Sequence, residues 1–67
     1  MSMTMRYRIV SKDDAWPPRY LAWKTDDGWG WTDIPRRAKA MGYSEALDMA
    51  RALRRRWRVR ASVEVAT

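Results

Sequence analysis

Hydrophobic periodicity changes along this chain, and the change limits the folds open to it. From Met5 to Val10 the residues alternate, with Met5, Tyr7 and Ile9 on one side and Arg6, Arg8 and Val10 on the other. From Ser44 the spacing becomes helical: Ala46, Leu47, Ala50, Leu53 and Trp57 recur one turn apart. Alternation then returns, with Trp57, Val59, Ala61, Val63 and Val65 facing one way and Arg58, Arg60, Ser62 and Glu64 the other. A period of two belongs to a half-buried strand, and one of about 3.6 to an amphipathic helix. The chain therefore needs a sheet face and a helix stripe to cover each other. Ser44 reads as the helix cap, Glu45 and Asp48 suit its positive end, and Arg54, Arg55 and Arg56 complement the carbonyls of its last turn.

Between these segments, Arg19 to Thr25 and Trp29 to Asp33 are rich in aromatic and β-branched residues and flank Asp26, Asp27 and Gly28. That spacing predicts a hairpin with a three-residue loop and glycine in the left-handed position. Thr25 would pair with Trp29 and Trp23 with Trp31. Leu21, Trp23, Trp29 and Trp31 then share the core face, while Tyr20, Ala22, Lys24, Gly30 and Thr32 share the other. A two-residue Asp27-Gly28 turn would shift the register by one and part Trp23 from Trp29 and Trp31. Ser11 to Pro18 reads as a loop, because Pro17 and Pro18 donate no ladder bond, and Trp16 within it is placed to cap the core. Asp33 to Gly42 accommodates one short helical turn, with Asp33 as cap and Gly42 as a left-handed terminator.

The resulting order, β-β-β-α-β, implies a two-layer α+β domain: a four-stranded, mostly antiparallel sheet of order 3-2-1-4 with one long helix across one face. If the helix returns the chain by a right-handed crossover, strand four runs parallel to strand one and lies beside it. Sixty-seven residues suffice for a single domain over 1–67, with residues 1–4 as a frayed extension. The expected core holds Met5, Tyr7, Ile9, Leu21, Trp23, Trp29, Trp31, Leu47, Ala50, Leu53, Val59, Val63 and Val65. A tryptophan buries roughly 150–250 Å² with few rotamers to freeze, which suits a small core without staples.

The chain has no cysteine and no histidine, which removes disulfides, thiolate chemistry, the usual zinc ligands and imidazole catalysis. Asp13-Asp14 and Asp26-Asp27 are the only carboxylate pairs, and aspartate is favoured in turns for its bonds to the local backbone. The serines lack a histidine to activate them, and no glycine-rich run resembles a phosphate-binding loop. The expectation is a protein that is not an enzyme and has no metal and no cofactor. No window approaches the ~18 apolar residues of a membrane span, and residues 1–5 do not resemble a signal peptide, so a cytoplasmic protein is expected.

The net charge is +6 and the pI about 10.5, which favours an acidic partner. On the expected sheet, Arg6 and Arg8 of strand one and Arg58 and Arg60 of strand four form one outward patch, with Tyr20 and Lys24 on the same face. Like charges opposite one another destabilise a sheet unless Glu64 or a partner relieves them. A phenol among cations can stack on a base. This patch is the candidate site for nucleic acid or a nucleoprotein complex. Two further basic groups, Arg36, Arg37 and Lys39 before the helix and Arg51, Arg54 and Arg55 along its outer side, favour phosphate attraction over base reading. Eleven arginines against three lysines, with nine alanines, equally fit the codon bias of a GC-rich genome and a merely solvated face. The alternative function is a protein-interaction module or homodimer that uses exposed strand edges and Trp16 and Trp57 as anchors.

The stretch from Tyr20-Leu21-Ala22-Trp23 through Gly30-Trp31-Thr32-Asp33, followed by Ala38, Tyr43 and Ser44-Glu45-Ala46-Leu47, resembles small phage and prophage proteins of unknown function. These have a hairpin ending in a Gly-Trp-Thr element, a spacer with an alanine, and a helix opening on a serine and a Glu-Ala pair. The match covers about half the chain, and the family brings no settled catalytic residues. The resemblance implies an accessory protein of a mobile element, some of which, such as anti-CRISPR proteins, inhibit host machinery by occupying a surface. This chain departs from the DNA mimics among such inhibitors, which are acidic.

Overall fold

The alternating segments near the two ends become adjacent strands. The computed structural model describes residues 5–12, 17–26 and 28–66. It contains β1 (Tyr7–Ser11), β2 (Arg19–Thr25), β3 (Gly28–Thr32), a 3₁₀ turn at Pro35–Arg37, α1 (Tyr43–Arg56) and β4 (Ala61–Val65). The strands form one antiparallel sheet in the order β3-β2-β1-β4, and α1 packs against β1 and β4, giving the expected two-layer α+β fold. The expected frayed terminus, the Asp13-Asp14 pair, Asp27 and Trp16, with its predicted role as a core cap, lie outside the described residues.

The direction of β4 corrects the sequence reading. It runs antiparallel to β1, from Tyr7 opposite Val65 to Ser11 opposite Ala61. The cause is one more pass of the chain than the periodicity announces. β1 pairs with β2 only at Val10–Tyr20 and Ser11–Arg19. Towards Tyr7, residues 39–41 enter between the two strands. There the Lys39 N–H donates to the Leu21 carbonyl at 2.8 Å, and Met41 exchanges backbone bonds with Tyr7 at 2.8 and 2.9 Å. This extended run travels opposite to β1, so α1 then runs back along β1 and β4 returns against it.

The helix start also differs. Gly42 is the cap residue, in an extended conformation at φ −70°, and no side chain caps the helix, so Ser44 lies inside its first turn. Gly42 thus opens α1 instead of ending the turn before it. That turn is capped by Ile34 with no side-chain bond, so Asp33 does not serve. At the other end, Arg58 adopts φ +53°, and the Leu53 carbonyl accepts from the N–H groups of both Trp57 and Val59 at 3.1 Å. Residues 57–59 are used in this terminator. β4 therefore begins at Ala61, later than the predicted Trp57.

Ile9, Leu21, Met41, Ala46, Ala50, Leu53 and Ala61 form the buried core, with Tyr7, Trp29, Trp31, Met49, Val59 and Val63 packed around it. Each fully buried aliphatic side chain among them contributes about 1.5–3 kcal/mol. Met5, Trp23 and Val65, expected in the core, are exposed, and Leu47 is half-buried outside the cluster. Trp23 is displaced by register. Thr25 pairs with Gly28, which leaves two residues for the connection, and a bulge between Leu21 and Trp23 shifts the ladder again. Leu21 stays opposite Trp31, but Trp23 pairs with Gly30 on the other face. A Cβ at Gly30 would fall 1.8 Å from the Trp23 ring, so the indole occupies the space that the missing side chain leaves.

Candidate functional site

The sheet face turned away from α1 does not gather the predicted arginine patch. β1 and β4 are neighbours as expected, but their register sets Arg8 directly opposite Glu64. The Arg8 Nε donates to the Glu64 Oε1 at 2.5 Å, and the Arg8 side chain is only 15% exposed. Its guanidinium carbon also lies 5.0 Å from the centroid of the Tyr20 ring, a cation–π contact. Tyr20 itself is 8% exposed, so its ring is covered and offers no platform to a base. Val10, opposite Tyr20 and expected among polar neighbours, is buried as well. Arg6 is exposed and donates to the Ala40 carbonyl at 2.9 Å, which ties it to the inserted run. Lys24 holds the register position opposite Trp29, out of step with Tyr20, because the bulge intervenes. Arg58 and Arg60 precede β4 and so do not share its alternation.

A denser basic group lies elsewhere. Arg51, Arg54, Arg55, Arg56, Arg58 and Arg60 are all exposed, and residues 51–60 contain no carboxylate. Helical spacing puts Arg51 one turn from both Arg54 and Arg55. Arg56, Trp57, Arg58 and Arg60 carry the surface around the helix end. Among the described residues, none of Arg51, Arg54, Arg55, Arg56 and Arg58 forms an ion pair, whereas Arg8 pairs with Glu64 and Lys39 approaches Glu45 at 3.9 Å. The carbonyls at the end of α1 offset part of this charge, but a helix terminus is equivalent to only about half an elementary charge. The sequence did contain this signal, as a run of arginines without acids. The sequence reading assigns Arg54, Arg55 and Arg56 to the helix end and Arg51, Arg54 and Arg55 to a basic group along the helix, but it sets Arg58 and Arg60 on the sheet face instead of with them.

Trp57 stands in the middle of this ridge and is 52% exposed. Beside it, a groove of about 330 Å³ opens between the flank of α1 and β3, lined by Trp29, Asp48, Met49, Ala52, Arg56 and Trp57. A second depression, of about 410 Å³, is lined by Pro17, Arg19, Trp31, Thr32, Asp33, Ile34 and Arg37. Among the described residues, no cluster of acidic side chains is grouped to hold a metal ion, and no helix is long and apolar enough to cross a membrane. No protein-family model, curated protein or solved structure matches the chain.

Proposed function

We propose that this protein is a non-catalytic binder of nucleic acid, which it engages through the arginine ridge at the C-terminal end of α1. This moves the docking surface from the sheet face to the helix end. The observation that carries the reading is the set of exposed guanidinium groups at Arg51, Arg54, Arg55, Arg56 and Arg58, none of which forms an ion pair among the described residues. Such a set attracts phosphates through counterion release. The half-exposed Trp57 among them favours single strands, since an indole stacks on any unpaired base. In the accessory-protein setting that the phage resemblance implies, such a binder acts by occupying a nucleic-acid or nucleoprotein surface.

The test is a salt titration of binding to a single-stranded oligonucleotide. Each phosphate contact contributes about 0.7 to the slope of log affinity against log salt. Replacing Arg51, Arg54 and Arg55 together with glutamine is expected to lower that slope by about 2 and to leave the fold intact, because all three are exposed and form no ion pair among the described residues. No binding to single or double strands at low ionic strength would refute the reading. A dimeric mass in light scattering would instead support the second reading, a self-associating module; β3 and β4 are the edge strands of the sheet and Trp23 is half-exposed.

A further inference from the structure

The groove between α1 and β3 joins two residues that also pack against the core, Trp29 and Met49, to three exposed ones, Asp48, Arg56 and Trp57. Two indoles, Trp29 and Trp57, and the Met49 side chain give it apolar surfaces, and Ala52 keeps the helix flank low between Asp48 and Arg56. Asp48, Ala52 and Arg56 follow one another at four-residue spacing, so the carboxylate and the guanidinium lie along one row of the helix. The Asp48 carboxylate is exposed and carries no hydrogen bond or ion pair among the described residues, despite a net charge of +6 around it. Aromatic walls with an acceptor at one end and a cation towards the ridge fit a flat ring that presents donors and is tethered to a phosphate.

We propose that this groove is a slot for one guanine base of a single strand, an inference that rests on the nucleic-acid reading above. The ring lies against Trp29 and Trp57, its Watson–Crick edge donates N1–H and N2–H to the two oxygens of Asp48, and its phosphate falls to Arg56 and the ridge. The selectivity follows from the pattern of donors. Guanine alone presents two adjacent donors on that edge. Thymine and uracil flank a single N–H with two carbonyl oxygens, which repel a carboxylate. Adenine and cytosine set an unprotonated ring nitrogen beside their amino group.

The experiment compares the full chain with Asp48→Asn for binding to oligothymidylate and to the same strand carrying one central guanine, in deoxy and ribo forms to separate the two sources of the base. The native chain is expected to prefer the guanine strand by about tenfold, the discrimination of one good bidentate contact. Asp48→Asn abolishes the preference. Because this change also removes a negative charge and strengthens binding to every strand, the ratio is the readout. Equal affinity of the native chain for the two strands, or a preference that survives in Asp48→Asn, overturns the slot and leaves the ridge standing. If no strand binds, the ridge reading falls, and quenching of tryptophan fluorescence by GMP against UMP decides the slot alone. Stronger quenching by GMP that is lost in Asp48→Asn upholds the slot, and equal quenching overturns it.

Discussion

Arg58 is the non-glycine residue with left-handed backbone among those described, at φ +53°. An L side chain in that region costs roughly 1–2 kcal/mol, which is why glycine usually holds the position after a helix. Arg58→Gly is expected to stabilise the protein by about 0.5–1 kcal/mol, raising the melting temperature by roughly 4 °C. The same change removes a ridge cation and weakens binding to single strands. Stability and affinity moving in opposite directions, measured by thermal denaturation and titration, would show that arginine is kept there for its charge. Gly30 makes the converse case, because its missing side chain is where the Trp23 ring sits. An aromatic ring laid over an edge-strand glycine shields backbone that would otherwise be bare. Gly30→Ala must displace the indole, with an expected loss of about 1–3 kcal/mol and a red-shifted Trp23 emission. An unchanged spectrum would mean that the ring does not rest there.

At the scale of elements, the strands and the helix follow from residue spacing, but their junctions do not. Tyr7 and Ile9 in β1 and Ala61 and Val63 in β4 alternate because they face the core, and the apolar stripe of α1 follows from Ala46, Ala50 and Leu53. Met5 and Val65, which continue the alternation, are exposed, and Val10 is buried on the other face. Residues 39–41 carry no such pattern. Their extended conformation exists because β1 and β2 separate below Val10–Tyr20 and leave backbone groups of Tyr7 and Leu21 to be satisfied. Met41 fills the gap and is 1% exposed, although no apolar repeat around Ala40 and Gly42 marks it for burial. Met41→Ala is expected to cost about 2–5 kcal/mol, a large part of the 5–15 kcal/mol of a typical domain. A denaturant titration checks this, and a loss below 1 kcal/mol would place Met41 outside the core. The bulge at Ala22 was equally hidden, since turn chemistry at Asp26-Asp27-Gly28 is compatible with several registers and each reassigns Trp23 to a different face.

Across the whole molecule, positive charge is unevenly placed among the described residues: carboxylates answer Arg8 on the open sheet face and approach Lys39, while none pairs with Arg51, Arg54, Arg55, Arg56 or Arg58. Repulsion among the arginines of residues 51–60 is screened by salt, so the melting temperature is expected to rise between low and moderate ionic strength. A fall would mean that the Arg8–Glu64 pair outweighs that repulsion. A single strand at a hundred times its dissociation constant should add about 2.7 kcal/mol to stability, and a strand that leaves the melting curve unmoved does not bind the folded chain. The strands and their helical cover could be read from periodicity, because burial of one face imposes a repeat on the residues that line it. The strand order expected from a crossover rule agrees with the structure, although the parallel β4 that the rule requires does not. The candidate site could not be read so completely. Residue types announced a basic, aromatic surface, but whether Arg8 is free or paired depends on which residue of β4 stands opposite it, and that depends on where the helix ends and the strand begins. Cross-strand register and the direction of β4 arise from contacts between residues far apart in the chain, which no local repeat encodes. The inserted run at 39–41 and the terminator at Arg58 therefore decided which cations remained available to a partner.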